Sequence, residues 1–215
     1  MTEVLKAAHF PTVRAWVDGW VISRKAPRPV REPWGLRVDV GLPGHVARHV
    51  VAAPTPEILR RLTATIRTPG TWLKLCAPAE AVEPLLPAPW AVQDREFMMT
   101  ARLTRDPVPA PPGYTLAVTT RAGVTVARLL TAAGEVAARG QFAVAGRTAV
   151  VDQVETAAGH RRRGLGTVVM KTVATTAASM GATTGVLVAT AQGQALYSTL
   201  GWSLHTPVTA AVLTA

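Results

Sequence analysis

Cysteine is almost missing from this chain: Cys76 is the one thiol in 215 residues. An intrachain disulfide is therefore excluded, and a thiolate metal cluster lacks ligands. Long apolar runs are missing as well. No stretch approaches 18 uncharged apolar residues, so a membrane-spanning helix is not expected. The start, Met1-Thr2-Glu3-Val4-Leu5-Lys6, carries an acid and lacks the basic-then-apolar order of a secretory signal. A soluble, cytoplasmic protein is the expectation. Acids are scarce, 13 against 23 Lys and Arg, which leaves a formal net charge of +10. Such an excess suits nucleic acid, a membrane surface or an anionic small ligand. The basic residues are spread as arginines, with local clusters at 24–31 and 161–163, and no Lys/Arg block or basic helix interleaved with aromatics occurs. Nucleic acid and membrane are therefore disfavoured as partners. Of the five histidines, only His45 and His49 stand four apart, and the preceding Gly41-Leu42-Pro43-Gly44 favours a strand start there, so no metal site is expected.

What the chain has is an anion cradle. The strand-like Val151-Asp152-Gln153-Val154-Glu155-Thr156 runs into Arg161-Arg162-Arg163-Gly164-Leu165-Gly166-Thr167, and a helix follows. The first turn of a helix leaves its N–H groups without intrahelical partners, and the helix dipole adds positive charge there. Gly164 and Gly166 remove the Cβ atoms that would hold a pyrophosphate away, and the three arginines supply guanidinium charge. The turn is not a P-loop, which needs Gly-Lys-Ser/Thr, nor a dinucleotide fingerprint, which needs Gly-x-Gly-x-x-Gly.

Periodicity gives the rest of the order. Strands are predicted at Tyr114–Thr120, Val124–Thr131, Glu135–Val144 and Arg147–Thr156, then a helix over Thr167–Met180 ending at Gly181, a strand at 185–190, a helix at 192–200, and a final strand pair at Trp202–Leu204 and Thr209–Leu213. The first half reads as a helix at Thr12–Ser23, strands at Arg37–Val40 and Val46–Ala53, a helix at Thr55–Arg67, a strand at Thr71–Cys76, a helix at Ala79–Leu86 and a strand at Glu96–Leu103. Between the halves, Asp106-Pro107-Val108-Pro109-Ala110-Pro111-Pro112-Gly113 reads as a linker, since proline breaks helices and starves a sheet of donors. The division expected is an N-terminal α/β unit at 1–105, a linker at 106–113 and a C-terminal unit at 114–215. The N-terminal tryptophans Trp16, Trp20 and Trp34 accompany Arg24, Arg28, Arg31 and Arg37. They would line an acceptor pocket or, as burial tendencies favour, anchor a core.

The Arg-x-x-Gly-x-Gly turn, together with the later run Gly193-Gln194-Ala195-Leu196-Tyr197-Ser198-Thr199-Leu200-Gly201-Trp202, resembles the two motifs of the GNAT acetyltransferase superfamily. The resemblance covers residues from near Tyr114 to the end. It implies an α/β fold with a mixed, mostly antiparallel central sheet flanked by helices, of the acyl-CoA N-acyltransferase type. The alternation of elements in the first half suits either a second, degenerate copy of that unit without the phosphate turn, hence a tandem arrangement, or an unrelated α/β cap. By the same resemblance, acetyl-CoA is the co-substrate and an amine of a small molecule or peptide is the acceptor. Its diphosphate is expected on Arg161, Arg162, Arg163, Gly164, Leu165, Gly166 and Thr167, and its pantetheine arm along Val154, Glu155 and Thr156. Tyr197 falls at the general-acid position. Asp152 shares the parity of the family's strand base, whose commonest position is held here by Val150. Thr190 stands where the family often has asparagine, and Gly193 where alanine is usual. The two helices that usually wall the acceptor site between the first two strands are absent, because only Arg121-Ala122-Gly123 joins them. The expected activity is direct acetyl transfer in a ternary complex by a monomer or homodimer, with no metal. A non-catalytic acyl-CoA sensor and an RNA-directed protein are the competing classes.

Overall fold

Alternating apolar and polar side chains dominate residues 8–215, which the computed structural model describes, and twelve strands form there. They are β1 (Val30–Glu32), β2 (Gly35–Leu42), β3 (His45–Val51), β4 (Thr71–Leu75), β5 (Trp90–Val92), β6 (Glu96–Arg102), β7 (Tyr114–Arg121), β8 (Val124–Thr131), β9 (Val136–Ala145), β10 (Thr148–Thr156), β11 (Thr184–Thr190) and β12 (Ser203–Leu213). The short β1 and β5 were not anticipated. The strands join in the order β1-β2-β3-β4-β12-β6-β11-β10-β9-β8-β7, with β5 beside β12. Two pairings, β3 with β4 and β10 with β11, are parallel, and the others are antiparallel.

The parallel pairs have a helical crossover each, as such pairs require. After β3 comes α2 (Pro56–Thr65), whose N-cap Thr55 hydroxyl accepts from Ile58 N at 3.2 Å. The short α3 (Ala79–Val82) follows β4 and tightens into a 3-10 turn at Glu83–Leu85, where Pro84 cannot continue an α-helix. After β10 comes α4 (Leu165–Ser179), and after β11 comes α5 (Ala191–Thr199), capped by Thr190 Oγ1 on Gly193 N at 3.2 Å.

Helix α1 (Phe10–Arg24) has Pro11 in its first turn and stops where Lys25 adopts a left-handed φ of 54°. Its Val13, Trp16, Val17, Trp20 and Val21 are buried against Leu36, Val38, Val50, Met98, Val150 and Val186, so strands from both halves enclose it. Contact is closest at Gly19, where a Cβ would fall 2.3 Å from Val150 Cγ2. Two further cores cover the other faces: Phe142, Leu165, Val169 and Met170 under α4, and Leu59, Leu62, Leu73 and Leu75 under α2.

The halves exchange their last strands. β6, from the first half, lies between β11 and β12, while β12 pairs with β6 over Ser203–Val208 and then with β4 and β5 over Thr209–Leu213. This corrects the expected final pair of strands. Pro207 reads in sequence as a break, but a bulge between Leu204 and Thr206 bends one continuous strand that changes partners there. The Pro-rich segment forms neither helix nor strand, with Val108 and Ala110 packed on the core beneath α4 and Asp106 paired to Lys171 at 3.0 Å. Among the described residues no helix is long and apolar enough to cross a membrane.

Candidate active site

Strands β10 and β11 pair only over Thr148–Val150 and Thr184–Val186. Beyond Val150 they diverge. Their separation coincides with a bulge in β10 between Asp152 and Glu155, where Gln153 takes a left-handed φ of 52°. That backbone is held by its surroundings: Gln153 N donates to Asp152 Oδ1 at 2.9 Å, and the Gln153 side-chain oxygen accepts from Arg139 Nη2 at 2.8 Å. The divergence opens a cleft of about 1280 Å³, walled by Val151, Gln153, Val154, Val188, Thr190 and Leu196 among others.

At one end of the cleft stands the N-terminus of α4. Arg162 and Gly164 both take positive φ, 61° and 76°, which turns the chain so that the helix begins with its axis toward the cleft. The amides of Leu165, Gly166 and Thr167 meet no acceptor among the described residues; the first bond from this helix start runs from Val168 N to Gly164 O at 3.2 Å. Such amides form an anion site. A Cβ on Gly166 would approach Leu196 Cδ2 to 3.2 Å, so glycine there lets α5 close over α4. Arg161 and Arg162 line the cleft, Arg161 with its Nε on Thr156 O at 3.3 Å. Arg163 does not join them. Its Nη1 donates to the Tyr114 hydroxyl at 3.1 Å, and that hydroxyl also meets His160 Nδ1 at 2.9 Å.

Tyr197 lies on α5 at the other end, lining the cleft with its ring 6.3 Å from that of Trp202. Burial, and secondarily the charge of Asp152, push its phenol up to about 12. Asp152 also lines the cleft, but both its oxygens are engaged. Oδ2 accepts from Arg24 Nε at 2.5 Å and from Ser23 Oγ at 3.1 Å. Oδ1 accepts from Arg24 Nη2 and Gln153 N, each at 2.9 Å. This bidentate pair, first through its hydrogen bond and then through charge, raises the pKa of Arg24 further. Glu155 is exposed on the other side of the bulge.

Sequence reasoning missed Ser23 and Arg24 as partners of Asp152, since nothing local links residues 128 positions apart. It also missed a basic cluster beside them: Arg48 over the Trp20 ring, with Cζ 4.0 Å from the centroid, and Lys74 paired to Glu96. The tryptophan–arginine grouping divides. Trp16 and Trp20 are core residues around α1, Trp34 packs near the α2 core beside His49, and Arg37 pairs with Glu32 and Asp39. His45 and His49 sit apart, the first against Trp20 and Trp72, the second against Trp34; no group of residues able to hold a metal occurs among the described residues. In the first half, β3 and β4 stay paired from Ala47–Thr71 to Val51–Leu75, and Cys76 N continues the ladder to Val51 O at 2.9 Å. No gap opens there. Cys76 is buried, which pushes its thiol up to about 12.

Unpaired helix amides thus lead into a gap between two parallel strands within one cleft. Residues 89–202 match the acetyltransferase (GNAT) family, and the chain belongs to that family. The matched region begins upstream of the Pro-rich segment and takes in β6. Solved structures show the same fold. A GCN5-related N-acetyltransferase from Kribbella flavida is 18% identical with a TM-score of 0.65, covering 91% of this chain and 93% of that one. An acetyltransferase of the GNAT family from Novosphingobium aromaticivorans is 18% identical with a TM-score of 0.58, covering 96% and 98%. A tandem GNAT protein from the clavulanic acid biosynthesis pathway is 12% identical with a TM-score of 0.53, covering 77% and 74%. No curated protein sequence matches the chain.

Proposed function

We propose that this protein is an N-acetyltransferase that moves the acetyl group of acetyl-CoA to a primary amine by direct attack in a ternary complex. The observation that carries this reading is the alignment of two features: the open amides of α4 and the gap between β10 and β11 share one cleft. The residues fit the ligand. Leu165, Gly166 and Thr167 offer N–H groups and Arg161 and Arg162 add charge for a diphosphate, while the bulged edge of β10 from Val154 to Thr156 offers backbone groups to amides of the pantetheine arm. Acetyl-CoA supplies an activated acyl group whose thiolate leaves as the C–N bond forms.

Tyr197 has the acid's part. With its phenol near 12 it stays protonated at neutral pH, and it donates that proton to the departing sulfur. Asp152 receives a different part from the strand base that the resemblance suggests. Four donors fill its two oxygens, which leaves no free lone pair in line for an ammonium; it anchors Arg24 and the end of α1, and the amine loses its proton to water. Helix α1, packed on β9 and β10 on the face away from α4, supplies the acceptor wall that the missing helices would otherwise form. The buried Cys76 has no place in this route. Thermal stabilisation by acetyl-CoA together with thiol release on an amine panel is the expected result. Stabilisation without release on any amine would sink the catalytic reading and leave an acyl-CoA sensor.

A further inference from the structure

On the face of the sheet that α1 covers, three cations from three elements converge: Arg24 of α1, Arg48 of β3 and Lys74 of β4. Each acts on His45, which its burial first and their positive charge second hold down to about 4. Two of the three make direct ion pairs, Arg24 with Asp152 and Lys74 with Glu96. Arg48 makes none. Among the described residues it has no carboxylate within ion-pairing distance, and its one hydrogen bond runs from Nε to Nε2 of the neutral His45 at 3.3 Å. Its guanidinium lies over Trp20, and its Nη groups have no protein acceptor. A half-buried guanidinium whose nearest carboxylates, Glu96 and Asp152, act on it from beyond ion-pairing distance and are already clasped by Lys74 and Arg24 keeps charge to offer an anion. Burial draws Arg48 down to about 10, against the more distant pull of Glu96 and Asp152, which still leaves it charged at neutral pH.

The position of Arg48 ties this surplus charge to the reaction. Trp20 and Arg24 are four residues apart and share one face of α1. Arg24 clasps Asp152, Asp152 lines the cleft, and its charge reaches Tyr197. The charge of Asp152 also reaches Arg48, so Arg48 stands near this cleft residue on the face that α1 covers. Stacking on an indole fixes the plane of a guanidinium and leaves its outer edge for a fork of two N–H donors, the geometry that matches carboxylate and phosphate oxygens.

We propose that Arg48, braced on Trp20, binds an oxyanion of the acceptor, so that the amine this protein acetylates carries a carboxylate or a phosphate. The inference rests on the acetyltransferase reading and names its substrate class. The test uses the full chain with acetyl-CoA and matched amines: amino acids against their primary amides, and O-phosphoethanolamine against ethanolamine. Thiol release gives kcat/KM for each, and calorimetric titration of the CoA-saturated protein with the same compounds gives affinity without turnover. The charged member of at least one pair is expected to be preferred about 10- to 100-fold, the range of a charge-assisted fork, chiefly through KM. In Arg48→Met that preference should collapse toward unity, with Arg48→Lys in between; melting curves with acetyl-CoA establish that both variants are folded. Turnover of amines with no preference in either pair overturns the inference and spares the acetyltransferase reading. Preferential binding of a charged member that Arg48→Met abolishes, without thiol release, upholds the oxyanion site and overturns the transferase reading. No preference in turnover or in binding overturns the inference outright.

Discussion

At the residue scale, surroundings set the protonation of two side chains, Tyr197, the proposed acid, and His45. Tyr197 is buried and beside a carboxylate, so its proton is held to about 12 and remains available across the working range. Tyr197→Phe keeps the ring and loses the proton: kcat should fall about 100-fold or more, the range of general-acid effects, while the KM for acetyl-CoA changes little in thiol-release assays. His45 makes a prediction about stability. Its folded pKa of about 4 lies below its ordinary 6.5, so between those values the unfolded chain binds more protons. Stability is therefore fully present above pH 6.5 and is lost as pH falls toward 4. The melting temperature should drop over that window, and His45→Gln should show a smaller drop between pH 7 and 4.5; an equal drop would assign the effect elsewhere.

Elements decide whether those residues meet a ligand. Gly164 introduces α4 with a φ of 76°, and a Cβ there would touch nothing within 4 Å, so the cost of alanine is conformational alone. Left-handed backbone costs an L-residue about 1–2 kcal/mol, which the chain can escape only by re-aiming the first turn of α4. Gly164→Ala should thus raise the KM for acetyl-CoA roughly 10-fold, the factor that such an energy buys, with a smaller effect on melting temperature. An unchanged KM would mean that the amides of this turn do not grip the diphosphate.

On the scale of the whole molecule, neither half is complete without the other. β11 has β6 as one of its two neighbours, and β10 and β11 rest on α1, both from the first 105 residues. A fragment of residues 106–215 would expose the apolar faces of Val150 and Val186 and leave β11 with an unpaired edge. Expressed alone, it should lack a cooperative thermal transition by circular dichroism and should not bind acetyl-CoA. A two-state melt would show instead that the exchanged strands are dispensable.

Sequence alone determined what depends on neighbours along the chain. The turn at 161–167, the strand before it, the helix after it and the tyrosine of α5 were legible because turn glycines, helix starts and side-chain periodicity are written within a few residues. The structure starts α4 two residues earlier than periodicity suggests, since Gly164 itself caps it. Tertiary structure alone decided what depends on pairing at a distance: that Asp152 is clasped by Ser23 and Arg24, that Arg163 turns to Tyr114, that one strand serves both halves across Pro207, and that Arg48 makes no direct ion pair among the described residues. Charge neutralisation and strand exchange join residues dozens to more than a hundred positions apart, and no local propensity encodes which distant partner will fill a given oxygen or strand edge.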